Sequence, residues 1–211
     1  MRRLFESFRP AREKPQASTT GGALWLVAGL GNPGERYHRS RHNLGFMVIE
    51  LLARQMGIRL DQRRFKAMCG KGELDGQAVM LMQPQTFMNL SGESVVPLLG
   101  YFKLPAERLI VIHDELDLEP GTVRIKRGGG DAGHRGIRSI IGLLGSGDFI
   151  RVRIGVGHAP ADRDSVGYLL EQMDAAAMNG LRPALERAAD AVRAIVADGV
   201  ERAMNKVNQR A

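Results

Sequence analysis

Asn32, Tyr37 and His42 fall close together between the turn Gly29-Leu30-Gly31-Asn32-Pro33-Gly34 and the run Arg41-His42-Asn43-Leu44-Gly45. An imidazole can take a proton from water near neutral pH, an amide side chain can hold a carbonyl, and a glycine-rich turn offers backbone N–H groups. Together these suit hydrolysis. His42 precedes an amphipathic pattern, where a helix dipole disfavours the imidazolium; a carboxylate beside it would push the other way and hold one tautomer. The same position also suits a histidine that merely hydrogen-bonds the start of a helix.

The carboxylate is expected from Asp114, which closes the short apolar run Leu109–Ile112 just after His113. The end of a buried strand is the usual place for a functional carboxylate in an open α/β sheet. His113, Asp114, Glu115 and Asp117 also invite a metal reading, but consecutive strand residues face opposite ways and converge poorly on one ion. Asn89, in Thr86-Phe87-Met88-Asn89-Leu90-Ser91-Gly92, reads either as a substrate contact or as a helix cap. Arg124, Lys126, Arg127, Arg151 and Arg153 make a basic stripe that suits phosphates or a solvated strand face. His38, His134 and His158 make no independent case.

Gly29-x-Gly31-x-x-Gly34 matches the dinucleotide fingerprint literally. Pro33 and the stretch to Ser40 hold these glycines away from the helix start, so no pyrophosphate would meet its N-terminus. Glu50, at the distance of a ribose ligand, falls inside the helical pattern instead of ending a second strand.

The elements that must position these residues alternate in type. Leu24–Leu30 reads as a buried strand. Leu44, Met47, Val48, Leu51 and Leu52 give a helix stopped by Gly57. Ala67–Leu74 and Val79–Gln83 flank the hairpin turn Asp75-Gly76. A helix is expected from Gly92 to about Phe102, and Leu109–Ile112 as a strand. A further strand follows at Thr122–Lys126. The glycine loop Gly128–Gly133 leads to a helix from Arg135 to Leu144. Arg151–Val156 is a last strand, and Ala175–Ala197 a long helix. The pattern implies an α/β fold in a single domain. We place the domain at residues 23–204, after a disordered basic extension over residues 1–22 and before a polar C-terminal tail at residues 205–211.

With 211 residues and 44% apolar composition, the chain can bury a sizeable core. Lys plus Arg is 30 against 23 acidic residues, which favours an anionic partner, nucleic acid ahead of membrane. Cys69 is the one cysteine, which excludes an intramolecular disulfide and a cysteine zinc cage.

In their order, Gly-Leu-Gly-Asn-Pro-Gly, Arg-His-Asn-x-Gly, Thr-Phe-Met-Asn-Leu-Ser-Gly, His-Asp-Glu-Leu-Asp, Gly-Gly-Gly-x-x-Gly-His and Arg-Val-Arg-Ile-Gly-Val-Gly resemble the bacterial-type peptidyl-tRNA hydrolases from Leu24 to about Asn208. The resemblance implies a twisted mixed β-sheet flanked by helices. It implies hydrolysis of the ester joining peptide to tRNA in prematurely released peptidyl-tRNA, which recycles the tRNA, with no cofactor and no metal. By the same resemblance His42 is the general base that activates water and Asp114 holds its imidazole. Asn32 contacts the peptide and helps reject free-amino aminoacyl-tRNA, and Asn89 binds near the scissile carbonyl. Tyr37 and Phe87 meet the tRNA's terminal end. Lys126 and Arg153 take the 5′-phosphate, with Arg124 in support. The implied partner is peptidyl-tRNA alone, with no membrane and no obligate protein partner, for a cytoplasmic monomer.

Two residues depart from the pattern. Arg135 stands where the family usually carries Asn for substrate binding, and an Arg has no acceptor. Asp131 puts negative charge beside the expected RNA path. A relative that only binds RNA would tolerate Arg135, but would have no need of Asn32, His42, Asn89 and Asp114 together.

Overall fold

Apolar residues on both parities of the central strands call for a sheet covered on two sides. The computed structural model describes residues 24–209, so the basic extension expected at residues 1–22 lies outside the described residues. Strands β1 (Trp25–Gly29), β2 (Gln62–Arg64), β3 (Ala67–Leu74), β4 (Gln77–Pro84), β5 (Leu109–Glu115), β6 (Val123–Arg127) and β7 (Ile150–Gly155) form one sheet in the order β2-β3-β4-β1-β5-β7-β6. β1 runs parallel to β4 and β5, and β5 to β7; the outer pairs β2–β3, β3–β4 and β6–β7 are antiparallel. The sheet is mixed, as expected.

Helices α1 (Leu44–Gln55), α2 (Gly92–Tyr101), α3 (Arg135–Leu144), α4 (Ser165–Leu170), α5 (Ala175–Asp198) and α6 (Val200–Asn208) surround it. Val27, Leu81, Ile110, Ile112, Val152 and Ile154 face α1 and α5, meeting Val48, Ile49, Val192 and Ile195. The alternate residues Leu26, Ala28, Met80, Met82, Leu109 and Val111 face α2 and α3, meeting Val95, Leu98, Ile137 and Ile140. Each buried aliphatic side chain stabilises the fold by about 1.5–3 kcal/mol.

The strands and helices expected from the sequence fall close to their observed bounds. β2, α4 and α6 were not among them: β2 is three exposed residues, α4 contains no buried residue, and α6 follows α5 as a separate helix. The polar tail expected from residue 205 is corrected, because α6 continues to Asn208. β6 is a sheet edge, and the Asn208 side chain accepts from Ile125 N and donates to Ile125 O, each at 2.9 Å. An amide thus takes the place of a neighbouring strand on that edge.

Candidate active site

Gly29 and Gly45 permit close approach of backbone to backbone. A Cβ on Gly45 would lie 2.4 Å from Leu30 N and 2.5 Å from Ile112 O, and one on Gly29 would lie 2.1 Å from Gly45 O. The start of α1 therefore packs directly on the ends of β1 and β5. A short 3-10 turn, Arg41–Asn43, precedes α1, and this packing delivers His42 to Asp114 at the end of β5. Gly29 and Gly31 of the dinucleotide-like spacing are thereby explained by the packing of α1, a Cβ on Gly31 lying 2.7 Å from the Phe46 ring, whereas Gly34 has open space around it and a φ of 105°.

Asp114 is 2% exposed and accepts two imidazoles. His42 Nδ1 donates to Oδ1 at 2.9 Å and Oδ2 at 3.0 Å, and His134 Nε2 donates to Oδ1 at 3.2 Å. His134 is also the N-cap of α3: its Nδ1 accepts from Gly136 N at 3.2 Å and Ile137 N at 3.3 Å. Those two donors fix the proton of His134 on Nε2. Asp114 then receives one N–H from each ring, and His42 keeps its Nε2 lone pair for the cavity. Among the described residues, His42, Asp114 and His134 are the one group close enough to hold a metal ion. The tautomer forced on His134 leaves its Nε2 without a lone pair, so the trio fits a base held by its carboxylate better than a metal.

The electrostatics follow from these contacts. Burial opposes the charge on Asp114, but His42 and His134, by charge and hydrogen bond, outweigh it and hold the carboxyl well below the usual carboxylate range. Burial lowers the pKa of His42, yet the charge and hydrogen bond of Asp114 together raise it above 6.5, with Arg135 opposing the rise. Burial and the nearby His134 push His113 well below 6.5. Neutral His113 donates from Nδ1 to the Asp114 carbonyl at 2.6 Å and packs against the His134 ring, centroids 4.7 Å apart.

A cavity of about 370 Å³ opens above this cluster and brings together Asn32, Tyr37, His42, Phe87, Asn89, Asp114 and Arg135, all expected from the sequence. Asn32 is held on three sides: Asn43 Oδ1 accepts from Asn32 N and Asn43 Nδ2 donates to Asn32 O, each at 2.9 Å, while Asn32 Oδ1 accepts from Met88 N at 2.8 Å. With its oxygen occupied, Asn32 offers Nδ2 as a donor. Phe87 is 57% exposed at the rim. Arg135, the first residue of α3, is exposed, and its side chain makes no hydrogen bond among the described residues. Leu169, Leu170 and Val166 of α4 form the opposite wall. A larger cleft, about 800 Å³, runs along α5 and α6 and contains none of the expected site residues.

The basic stripe lies outside the cavity. Register pairs Arg124 with Arg153 and Lys126 with Arg151 across β6 and β7. Arg153 binds Glu115 at 2.9 Å, Arg124 donates to the Asn208 carbonyl, and Lys126 makes no ion pair among the described residues. Arg151 is corrected as a phosphate candidate: it is buried, with its guanidinium on the carbonyls of Gly129 and Gly130. Asp131 faces Arg138 at 3.1 Å and Gly133 N at 2.7 Å, and these bonds hold its pKa down. Its charge is paired with Arg138 of α3.

The sequence reading missed His134, Asn43 and α4. A signal existed for each: His134 stands immediately before a helix start, Asn43 follows His42, and Asp164 caps α4 by accepting from Gly167 N.

A family model described as peptidyl-tRNA hydrolase matches residues 26–211. A peptidyl-tRNA hydrolase of Caldanaerobacter subterraneus is 46% identical over 185 residues, covering 88% of this chain and all (100%) of that protein. One of Frankia casuarinae is 47% identical over 187 residues, covering 89% of this chain and 95% of that protein. The crystal structure of peptidyl-tRNA hydrolase from Acinetobacter baumannii superposes with a TM-score of 0.83 at 37% identity, covering 90% of this chain and 97% of that one.

Proposed function

The chain belongs to the peptidyl-tRNA hydrolase family, and from that premise we infer how its own residues carry out the reaction. It is a hydrolase of the ester in peptidyl-tRNA. His42 Nε2 takes a proton from water, and the hydroxide adds to the ester carbonyl carbon. The tetrahedral oxyanion collapses, the bond to the ribose oxygen breaks, and the imidazolium returns its proton to that oxygen. Peptide acid and free tRNA result. Asp114 stabilises the imidazolium and keeps the reactive nitrogen aimed at the cavity; His134 supports Asp114 as a positioning residue. The observation that carries this reading is the pair of hydrogen bonds from His42 Nδ1 to Asp114, which leaves Nε2 free.

Asn32 Nδ2 and Asn89 donate to peptide carbonyls near the ester, and Tyr37 and Phe87 pack on the terminal nucleotide. A positioned base contributes roughly 10²–10⁴-fold and oriented donors a further factor, which suits a labile carboxylic ester. Lys126, Arg153 and Arg124 meet the phosphate of the acceptor end. Peptidyl-tRNA is the partner in this reading, and action as a monomer without an obligate protein partner is part of the proposal. Among the described residues no helix is long and apolar enough to cross a membrane, in keeping with action in the cytoplasm. Hydrolysis of N-acetylated aminoacyl-tRNA in the presence of a chelator tests the reading. Turnover is expected there, with the free-amino aminoacyl-tRNA left largely intact; equal cleavage of both would overturn the role of Asn32.

A further inference from the structure

Two hairpins of this chain turn with the same geometry and different residues. β3–β4 turns at Asp75-Gly76, with φ of 49° and 79°, residues suited to such a two-residue turn. β2–β3 turns at Phe65-Lys66, with φ of 46° and 55°, where side chains of this size disfavour left-handed backbone. Phe65 is 38% exposed. It stands beside the still more exposed Tyr101, ring centroids 5.4 Å apart, and Phe102 meets Tyr101 edge-on at 5.0 Å. The Arg64 guanidinium lies 6.0 Å from the Tyr101 ring centre. Arg63 and Lys103 are exposed and form no ion pair among the described residues. Lys66 is already bound to Glu93 at 2.8 Å.

This patch is tied through its turn to a segment that lines the active-site cavity. The Lys66 carbonyl accepts from Gln85 N at 2.7 Å and from Ser94 Oγ at 3.3 Å. Those bonds tie the turn to the segment that carries Phe87, Met88 and Asn89 into the cavity. The sheet places the patch at the β2 edge and the basic pair β6–β7 at the other, with β1 and β5 between. Strand spacing makes that span roughly 29 Å. A tRNA end held over β6 and β7 therefore leaves the peptide to run toward β4, β3 and β2.

We propose that Phe65 and Tyr101, flanked by Arg63, Arg64 and Lys103, form an outer peptide subsite. It takes aromatic, apolar or acidic side chains from the part of the peptide beyond the residues held at Asn32 and Asn89. The assignment rests on the placement of tRNA over β6 and β7 given above. The left-handed strain at Phe65 is then explained by the ring it holds outward.

The test uses the full chain, N-acetylglycyl-tRNA, and an N-acetylated octapeptidyl-tRNA with Phe and Asp in its outer half. The double substitution Phe65→Asn with Lys66→Gly supplies an ordinary turn, so folding is preserved and the melting temperature rises. Tyr101→Ser is the second variant. Each is expected to lower kcat/KM for the octapeptidyl substrate roughly three- to tenfold through KM, as loss of part of an aromatic contact requires, with N-acetylglycyl-tRNA unaffected. Equal turnover of the long substrate by all proteins overturns the subsite. Equal loss on both substrates, or weaker binding of uncharged tRNA, also overturns it and assigns the patch to RNA. Failure of the unaltered protein on N-acetylglycyl-tRNA would instead contradict the hydrolase reading itself.

Discussion

Asp114 receives two imidazoles, and their tautomers decide which of them can work. His134 is locked by the backbone donors Gly136 N and Ile137 N, so its only remaining act is to donate to Asp114. His42 is oriented by the same carboxylate and retains a basic nitrogen. Asp114→Asn inverts that logic: an amide donor favours the His42 tautomer with its proton on Nε2, and kcat should fall roughly 10²–10⁴-fold with binding little changed. Single-turnover rates against tRNA affinity check this. Arg135 acts by charge at the same imidazole, lowering its pKa. Removing it in Arg135→Asn raises the His42 pKa further. Less free base is then present at a given low pH, and the acid limb of the rate profile moves to higher pH, while the plateau well above it is free of this effect. A limb that stays in place, or moves to lower pH, would show that Arg135 does not govern His42. His42 and Asp114 were legible because each sits at a recognisable element boundary. The part played by His134 was not, because its contact with Asp114 is made only when α3 packs beside β5.

The elements that assemble the site are held by backbone contact, and glycine is what permits it. Gly45 lies against Leu30 N and Ile112 O with no room for a methyl group. Gly45→Ala must lift the start of α1, and His42 with it. We expect a loss of about 1–3 kcal/mol in urea unfolding, together with lower kcat, as overpacking against backbone requires. An alanine variant with unaltered stability would refute close packing as the reason for this glycine. Most strands and helices were legible from apolar periodicity and from turns such as Asp75-Gly76. α4 escaped because its short span has no buried residues to set a period, although its Asp164 cap was in view. α6 escaped for a related reason. Its polar end is held by hydrogen bonds from Asn208 to the edge of β6, a contact between residues far apart in sequence.

At the scale of the molecule, formal charge and sheet topology divide the surface into regions. The net charge of +7 includes a basic pair of strands at one edge of the sheet. Composition pointed to an anionic partner, but which cations stay free is a property of the folded chain: Arg151 is spent on the glycine loop, whereas Lys126 is not. Lys126→Ala with Arg153→Ala should weaken tRNA binding and reduce the slope of log K against log salt by roughly 0.7–0.9 for each lost phosphate contact. An unchanged slope would remove these residues from the RNA path.

The central claim is that His42, held by Asp114, is the base. The measurement that tests it most directly is the single-turnover rate of N-acetylated aminoacyl-tRNA hydrolysis against pH, in the unaltered protein and in His42→Ala. The rate is expected to rise through one ionisation above 6.5. In the alanine variant that ionisation disappears and the rate drops roughly 10²–10⁴-fold. The same ionisation persisting in His42→Ala would contradict it.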